Sequence, residues 1–241
     1  MSIELLIAIA LVFVTSLVST MSGFGLATIM IPVLLLRYPL PETLLLVAVI
    51  HFMGDFWKIW LFRQGVNWRL VLTFVSLGIP MTALGAWLVP LLPQQALART
   101  LGAFILAYVA VLVLKPAFHV APTPSRTVAG GALYGFAAGI FGISGAIRSA
   151  VLAAYDLPKA VFLFTSGAVS LFIDTTRIAT YLASGVALVG ISAWNILLLI
   201  PVSFAGAIVA KRFLSHISHD RFKHIIAFFL FLAGLKLLLL P

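Results

Sequence analysis

The sequence predicts an all-α polytopic membrane protein. It reads as two inverted repeats, each a glycine-broken helical hairpin plus three transmembrane helices, about 8–10 membrane segments in all. Three observations predict this. Of 241 residues, 63% are hydrophobic and 9% charged, where a soluble domain is nearer a quarter charged. Apolar runs long enough to cross a bilayer recur along almost the whole chain. The two halves also carry the same short motifs in the same order.

The elements follow in chain order. The N-terminal "MSIELLIAIALVFVTSLVST" carries Glu4 and no Lys or Arg, so it lacks the basic region of a cleavable signal and reads as a first membrane segment. It runs into a glycine cluster, "MSGFGLATIMIP" at 21–32, and three spans are expected after it, at 42–62, 68–91 and 96–115. The segment "KPAFHVAPTPSR", with its prolines and basic ends, is expected to be a cytoplasmic linker over 116–126, separating repeat 1–115 from repeat 127–241. The second glycine cluster, "GIFGISGAIRSA" at 139–150, precedes spans expected at 158–182, 192–210 and 222–240.

The repeat rests on four matched motifs. The glycine clusters correspond; "LPE" (40–42) matches "LPK" (157–159); "HFMGDFWK" (51–58) matches "SLFIDTTR" (170–177); "PMTALGA" (80–86) matches "PVSFAGA" (201–207). Asp55 precedes Lys58 as Asp174 precedes Arg177, and Pro80, expected to kink its helix, corresponds to Pro201.

Loop charge orients the halves. If each glycine segment crosses an even number of times, each half crosses an odd number and the halves are inverted. Arg63, Arg69, Lys115, Arg126, Lys159, Lys211, Arg212, Arg221 and Lys223 then share the cytoplasmic side, against Arg37, Arg99 and Lys236 outside. Counting the glycine segment as one pass leaves a nearly even split. The positive-inside rule therefore favours inversion, with both termini outside. Inversion brings the glycine clusters together near the midplane, where broken helices expose amide N–H groups that favour anions. Irregular backbone at that depth needs protein or a watery cavity around it. The competing reading is a pair of packing glycines of the small-xxx-small type.

Ionisable residues inside spans cost a few kcal/mol on insertion scales and need a partner, a cavity or a function. Here they are His51, Asp55, Lys58, Arg148, Asp174 and Arg177. His51, Asp55, Lys58 and Phe62 share one helical face, and Ser170, Asp174, Arg177 and Tyr181 the corresponding one. Asp55–Lys58 and Asp174–Arg177 are expected to pair. Arg148 has no local acid, so an anionic substrate or a cross-half pair with Asp55 must balance it. The expected substrate-binding residues are therefore Arg148 with Ser22, Gly23, Gly25, Gly142, Ser144 and Gly145. His51, Asp55, Lys58, Ser170, Asp174 and Arg177 are expected to form the cavity and carry any coupling to a proton or sodium.

Other chemistries find little support. Net charge is +9, but the Lys and Arg residues lie in short loops rather than in a basic patch interleaved with aromatics, so anionic lipid and not nucleic acid is the expected partner. There are no cysteines and no Walker loop. His51 and Asp55 have i,i+4 spacing but complete no HExxH motif, and no metal or cofactor is expected. "GISGA" echoes a nucleophile elbow around Ser144 without the preceding strand. An anion channel and an intramembrane enzyme using His51 and Asp55 are the alternative readings.

The chain resembles the TauE/SafE family of sulfite exporter-like membrane proteins. Ser22, Gly23, Phe24, Gly25 and Pro32 look like its "SGFGxxxxxxP" segment. Gly142, Ser144 and Gly145 resemble its "GxSG" counterpart, followed by "DLPK" and "IDTTRIATYL". Leu26, Ala27 and Ala146 depart from it, standing where many members have glycine, glycine and proline. The resemblance implies a multi-pass protein of the bacterial inner membrane, no enzyme, exporting small sulfur-containing or organic anions such as sulfite, sulfonates or sulfoacetate-like acids. A homodimer is compatible with it. Export of a monovalent anion needs no ion coupling, because an interior-negative potential favours it by about 2.3 kcal/mol per 100 mV.

Overall fold

The computed structural model describes residues 3–22, 26–61, 65–114, 122–189, 193–213 and 219–239. Among them there are ten helices: α1 (Ile3–Ser22), α2 (Ala27–Leu34), α3 (Leu40–Leu61), α4 (Trp68–Leu88), α5 (Gln94–Leu114), α6 (Pro124–Phe141), α7 (Gly145–Ala153), α8 (Lys159–Ala183), α9 (Ala193–Phe213) and α10 (His219–Leu239). Five of them, α3, α4, α5, α8 and α9, are long and apolar enough to cross a membrane, and α1 and α10 contain shorter apolar stretches, Leu5–Ser19 and Leu230–Leu239. The protein is all-helical and multi-pass.

Local chemistry sets the boundaries. Asn67 caps α4, its side chain accepting from the Leu70 amide at 3.0 Å. Thr123 caps α6, with Pro124 in the first turn where no amide is missed. That start signal places α6 inside the expected linker, whose residues 115–121 lie outside the described set. The last helix likewise begins at His219, earlier than the apolar run suggests.

Helices α2 and α7, of 8 and 9 residues, span only about 12–14 Å at 1.5 Å per residue, too short for a core of about 30 Å. Each glycine cluster thus separates a long helix from a half-helix, as the sequence predicts. The second break is set by Gly142, which ends α6 in the left-handed region at φ +70°. A Cβ there would stand 2.5 Å from Ile31 Cδ1 and 2.9 Å from Leu44 Cδ2, so close approach also requires glycine.

Helix contacts recur in matched pairs between α1–α5 and α6–α10. α3 packs on α8 and α5 on α10; α4 on α6 corresponds to α9 on α1; α4 on α8 to α9 on α3; α2 on α3 to α7 on α8. His51 meets Asp174 while Asp55 and Ile59 lie beside Gly167, so α3 and α8 run antiparallel. α5 and α10 are antiparallel too, with Gly102 beside Leu237 and Leu106 beside Gly234. α4 and α6 run parallel along a stripe, Gly131, Gly135 and Gly139, where any Cβ would collide with the backbone at Phe74, Gly78 and Thr82. These packing glycines stand one turn apart in α6, and Gly85, Gly102 and Gly206 likewise approach neighbouring backbone. One contact breaks the symmetry: α2 packs on α10, whereas an apolar cleft of ≈ 630 Å³ lies between α5, α6 and α7.

Candidate functional site

The interior charges converge where α3 meets α8. α3 contributes His51, Asp55 and Lys58 from successive turns, and α8 contributes Ser170, Asp174 and Arg177. Both expected pairs form: Lys58 Nζ donates to Asp55 Oδ1 at 2.8 Å, and Arg177 Nε stands 2.9 Å from Asp174 Oδ1. All four side chains are buried, Asp55 completely. Low dielectric makes each pair costly to break, about 3–5 kcal/mol, because removing one member leaves an uncompensated buried charge.

The cross-half bond that forms is not the one the sequence offered between Arg148 and Asp55 but one from His51 to Asp174. His51 Nδ1 lies 2.6 Å from Asp174 Oδ2 and 3.0 Å from Asp55 Oδ2. The shorter contact is the hydrogen bond, and flanking carboxylates require Nδ1 to carry its proton. Asp55 Oδ2 accepts no aligned hydrogen bond. His51, Asp55 and Asp174 place their ligand-type atoms within 4.8 Å of one another, a spacing a metal could bridge. The 2.6 Å contact is a hydrogen bond, however, and each carboxylate already holds a cation. These three residues form a hydrogen-bonded ionic triad.

Arg148 lies in α7 and is 1% exposed. Its Nη1 donates to the Tyr134 hydroxyl at 3.1 Å, which lies 3.1 Å from Ser170 Oγ. Among the described residues its Nε has no hydrogen-bond partner, and no carboxylate reaches Arg148 within ion-pair distance, so the cross-half pair with Asp55 does not form. Tyr134 is a residue of the candidate site that the sequence reading missed; its signal was a tyrosine amid small residues in a span.

A cavity of ≈ 10 Å³, room for about one water, joins Arg148 to the second glycine cluster; Gly142, Ser144, Gly145, Thr28, His51, Asp174 and Arg177 also line it. Ser144 is the N-cap of α7 without a side-chain capping bond. Arg177 also stands within 3.4 Å of the Ala138 and Gly142 carbonyls, placing its charge on the C-terminus of α6. His51 also lines a second cavity of ≈ 10 Å³, together with Ser16, Ser19, Gly54, Lys58 and Ser203. Of the first cluster's expected donors, Gly23 and Gly25 lie outside the described residues, as do Phe62 and the Ser22 side chain.

The sequence matches the sulfite exporter TauE/SafE family over residues 8–237, a range that takes in both halves and the whole charged cluster. Neither a curated protein nor a solved structure matches the chain. The multi-pass helices and the family match agree on a membrane transporter and set aside the intramembrane enzyme: the chain belongs to the sulfite exporter TauE/SafE family.

Proposed function

We propose that the protein is a carrier for small sulfur-containing or organic anions (sulfite, a sulfonate or a sulfoacetate-like acid), working by export across a bacterial inner membrane. The observation that carries this reading is Arg148: a fully buried guanidinium whose Nε has no hydrogen-bond partner among the described residues and which no described carboxylate meets at ion-pair distance. Asp55 and Asp174 are each matched by Lys58 and Arg177, so Arg148 leaves the cluster one positive charge in excess. A charge uncompensated at that depth is costly; an oxyanion on the free guanidinium edge removes the cost and gains charge-assisted hydrogen bonds.

The anion sits between the glycine clusters. Arg148 is its charge partner, the first amides of α7 at Gly145 and the Ser144 hydroxyl are donors, and Gly142 allows the approach. Ser22, Gly23 and Gly25 supply the matching elements of the first half. His51, Asp55, Lys58, Ser170, Asp174 and Arg177 hold the cavity's shape and charge. The halves are inverted repeats, a reading supported by the antiparallel pairs α3–α8 and α5–α10, since corresponding helices of a parallel repeat would point the same way. Two separate cavities of one-water size, each lined by His51, suit a carrier in an occluded state better than an open channel. The cleft behind α7 gives that half-helix room to withdraw and open the site.

Flux of sulfite or a sulfonate into proteoliposomes tests the reading. Arg148→Ala is expected to lower it about 100-fold, the loss of one charge-assisted anchor of about 2–3 kcal/mol. Undiminished transport by the variant would remove Arg148 from the site.

A further inference from the structure

The anion reading leaves the triad at the helix crossing without a task. His51 is the point where everything meets. Its Nδ1 faces a carboxylate from each half, Asp55 from α3 at 3.0 Å and Asp174 from α8 at 2.6 Å. It lines both one-water cavities, the one holding Arg148 and the one holding Lys58. Its Nε2 has no hydrogen-bond partner among the described residues. With Nδ1–H engaged, Nε2 is the nitrogen left to accept a proton from water in either cavity.

We propose that His51 carries a proton that crosses the membrane together with the anion. The proposal rests on the anion reading and adds a coupling ion to it. The chemistry is a single transfer: water on one side gives a proton to Nε2, making an imidazolium whose charge the two Asp oxygens stabilise, and the proton leaves to water on the other side. No other bond changes.

The sign follows from the groups facing His51. Asp55 and Lys58 come from its own helix, Asp174 and Arg177 from α8, and Arg148 from α7; α6 presents the Tyr134 phenol. From α1, α2 and α9, the described residues lining the cavities are the hydroxyl-bearing Ser16, Ser19, Thr28 and Ser203 together with apolar Leu26, Ala27 and Ala207, none of them charged. With His51 neutral this set is one positive charge in excess; protonation raises the excess by one. An anion beside Arg148 favours that added charge, and the added charge favours the anion. Cooperative binding of both to one occluded site gives symport, whereas antiport requires that they compete. A monoanion then moves with its proton as a neutral pair, so the membrane potential no longer drives it, and export proceeds only while the outward anion gradient exceeds the opposing inward proton gradient.

The experiment uses a permanently ionised sulfonate, so that substrate protonation cannot mimic coupling. Wild-type protein is reconstituted in vesicles containing a pH-sensitive dye and supplied with external methanesulfonate under clamped potential. Sulfonate influx should acidify the lumen in step with uptake, and an inwardly directed proton gradient should concentrate sulfonate several-fold inside. His51→Asn, which keeps a donor near the Nδ1 position but does not titrate, should lose gradient-driven accumulation. Sulfonate influx without lumenal acidification, alkalinisation instead, or accumulation that survives in His51→Asn would overturn the proposal while leaving the carrier reading intact. Absence of flux for both sulfite and methanesulfonate in the wild type would overturn both.

Discussion

The two halves place the same carboxylate and a cation one helical turn apart, yet treat them differently. In the first, Lys58 is shared between Asp55 and the Ser19 hydroxyl, 3.4 Å away, and the account closes locally. In the second, Arg177 binds Asp174 and also lies against the carbonyls that end α6, while α7 adds Arg148 with no acid of its own. The surplus charge therefore comes from Arg148 of α7 and not from the two matched ion pairs.

Substitutions can break or sharpen this contrast. The largest effect is expected at Arg177. Arg177→Gln removes the ion-pair partner of Asp174 and the charge on the α6 terminus, and should cost about 3–5 kcal/mol of stability. Lys58→Gln should cost less, since no helix terminus depends on it. Thermal melting in detergent compares the two, and equal losses would mean that the carbonyl contacts contribute nothing. Next comes Arg148→Ile, which removes the surplus buried charge. It should abolish anion flux yet leave the melting temperature unchanged or raised, because it removes an uncompensated buried charge. A large drop in stability would assign Arg148 a structural role instead. The smallest contrast lies in glycines. Gly142→Ala meets both a positive φ and the Ile31 and Leu44 side chains and should destabilise by about 1–3 kcal/mol. Gly54, inside α3 with nothing within 4 Å of an added Cβ, should gain roughly 0.5–1 kcal/mol on replacement by Ala. Melting curves of the two variants should shift in opposite directions.

Much of this architecture was legible in the chain. Apolar run length set the helices to within a few residues, because a bilayer demands a minimum length and tolerates few charges. The i,i+3 pairs Asp55–Lys58 and Asp174–Arg177 were readable because a helix fixes such neighbours whatever surrounds it. The start of α6 was misjudged where prolines outweighed a capping threonine. The glycine stripe of α6 was visible as spacing, but only its contact with Phe74, Gly78 and Thr82 shows which glycines serve packing and which end a helix.

The sequence by itself determined the helices, their matched order and the excess of interior positive charge, since periodicity, length and charge count are local quantities. Tertiary structure alone decided that His51 bridges Asp174 across 123 residues and that Arg148 donates to the Tyr134 hydroxyl. Both depend on how α3 crosses α8 and how α7 folds back, and no local spacing encodes a crossing.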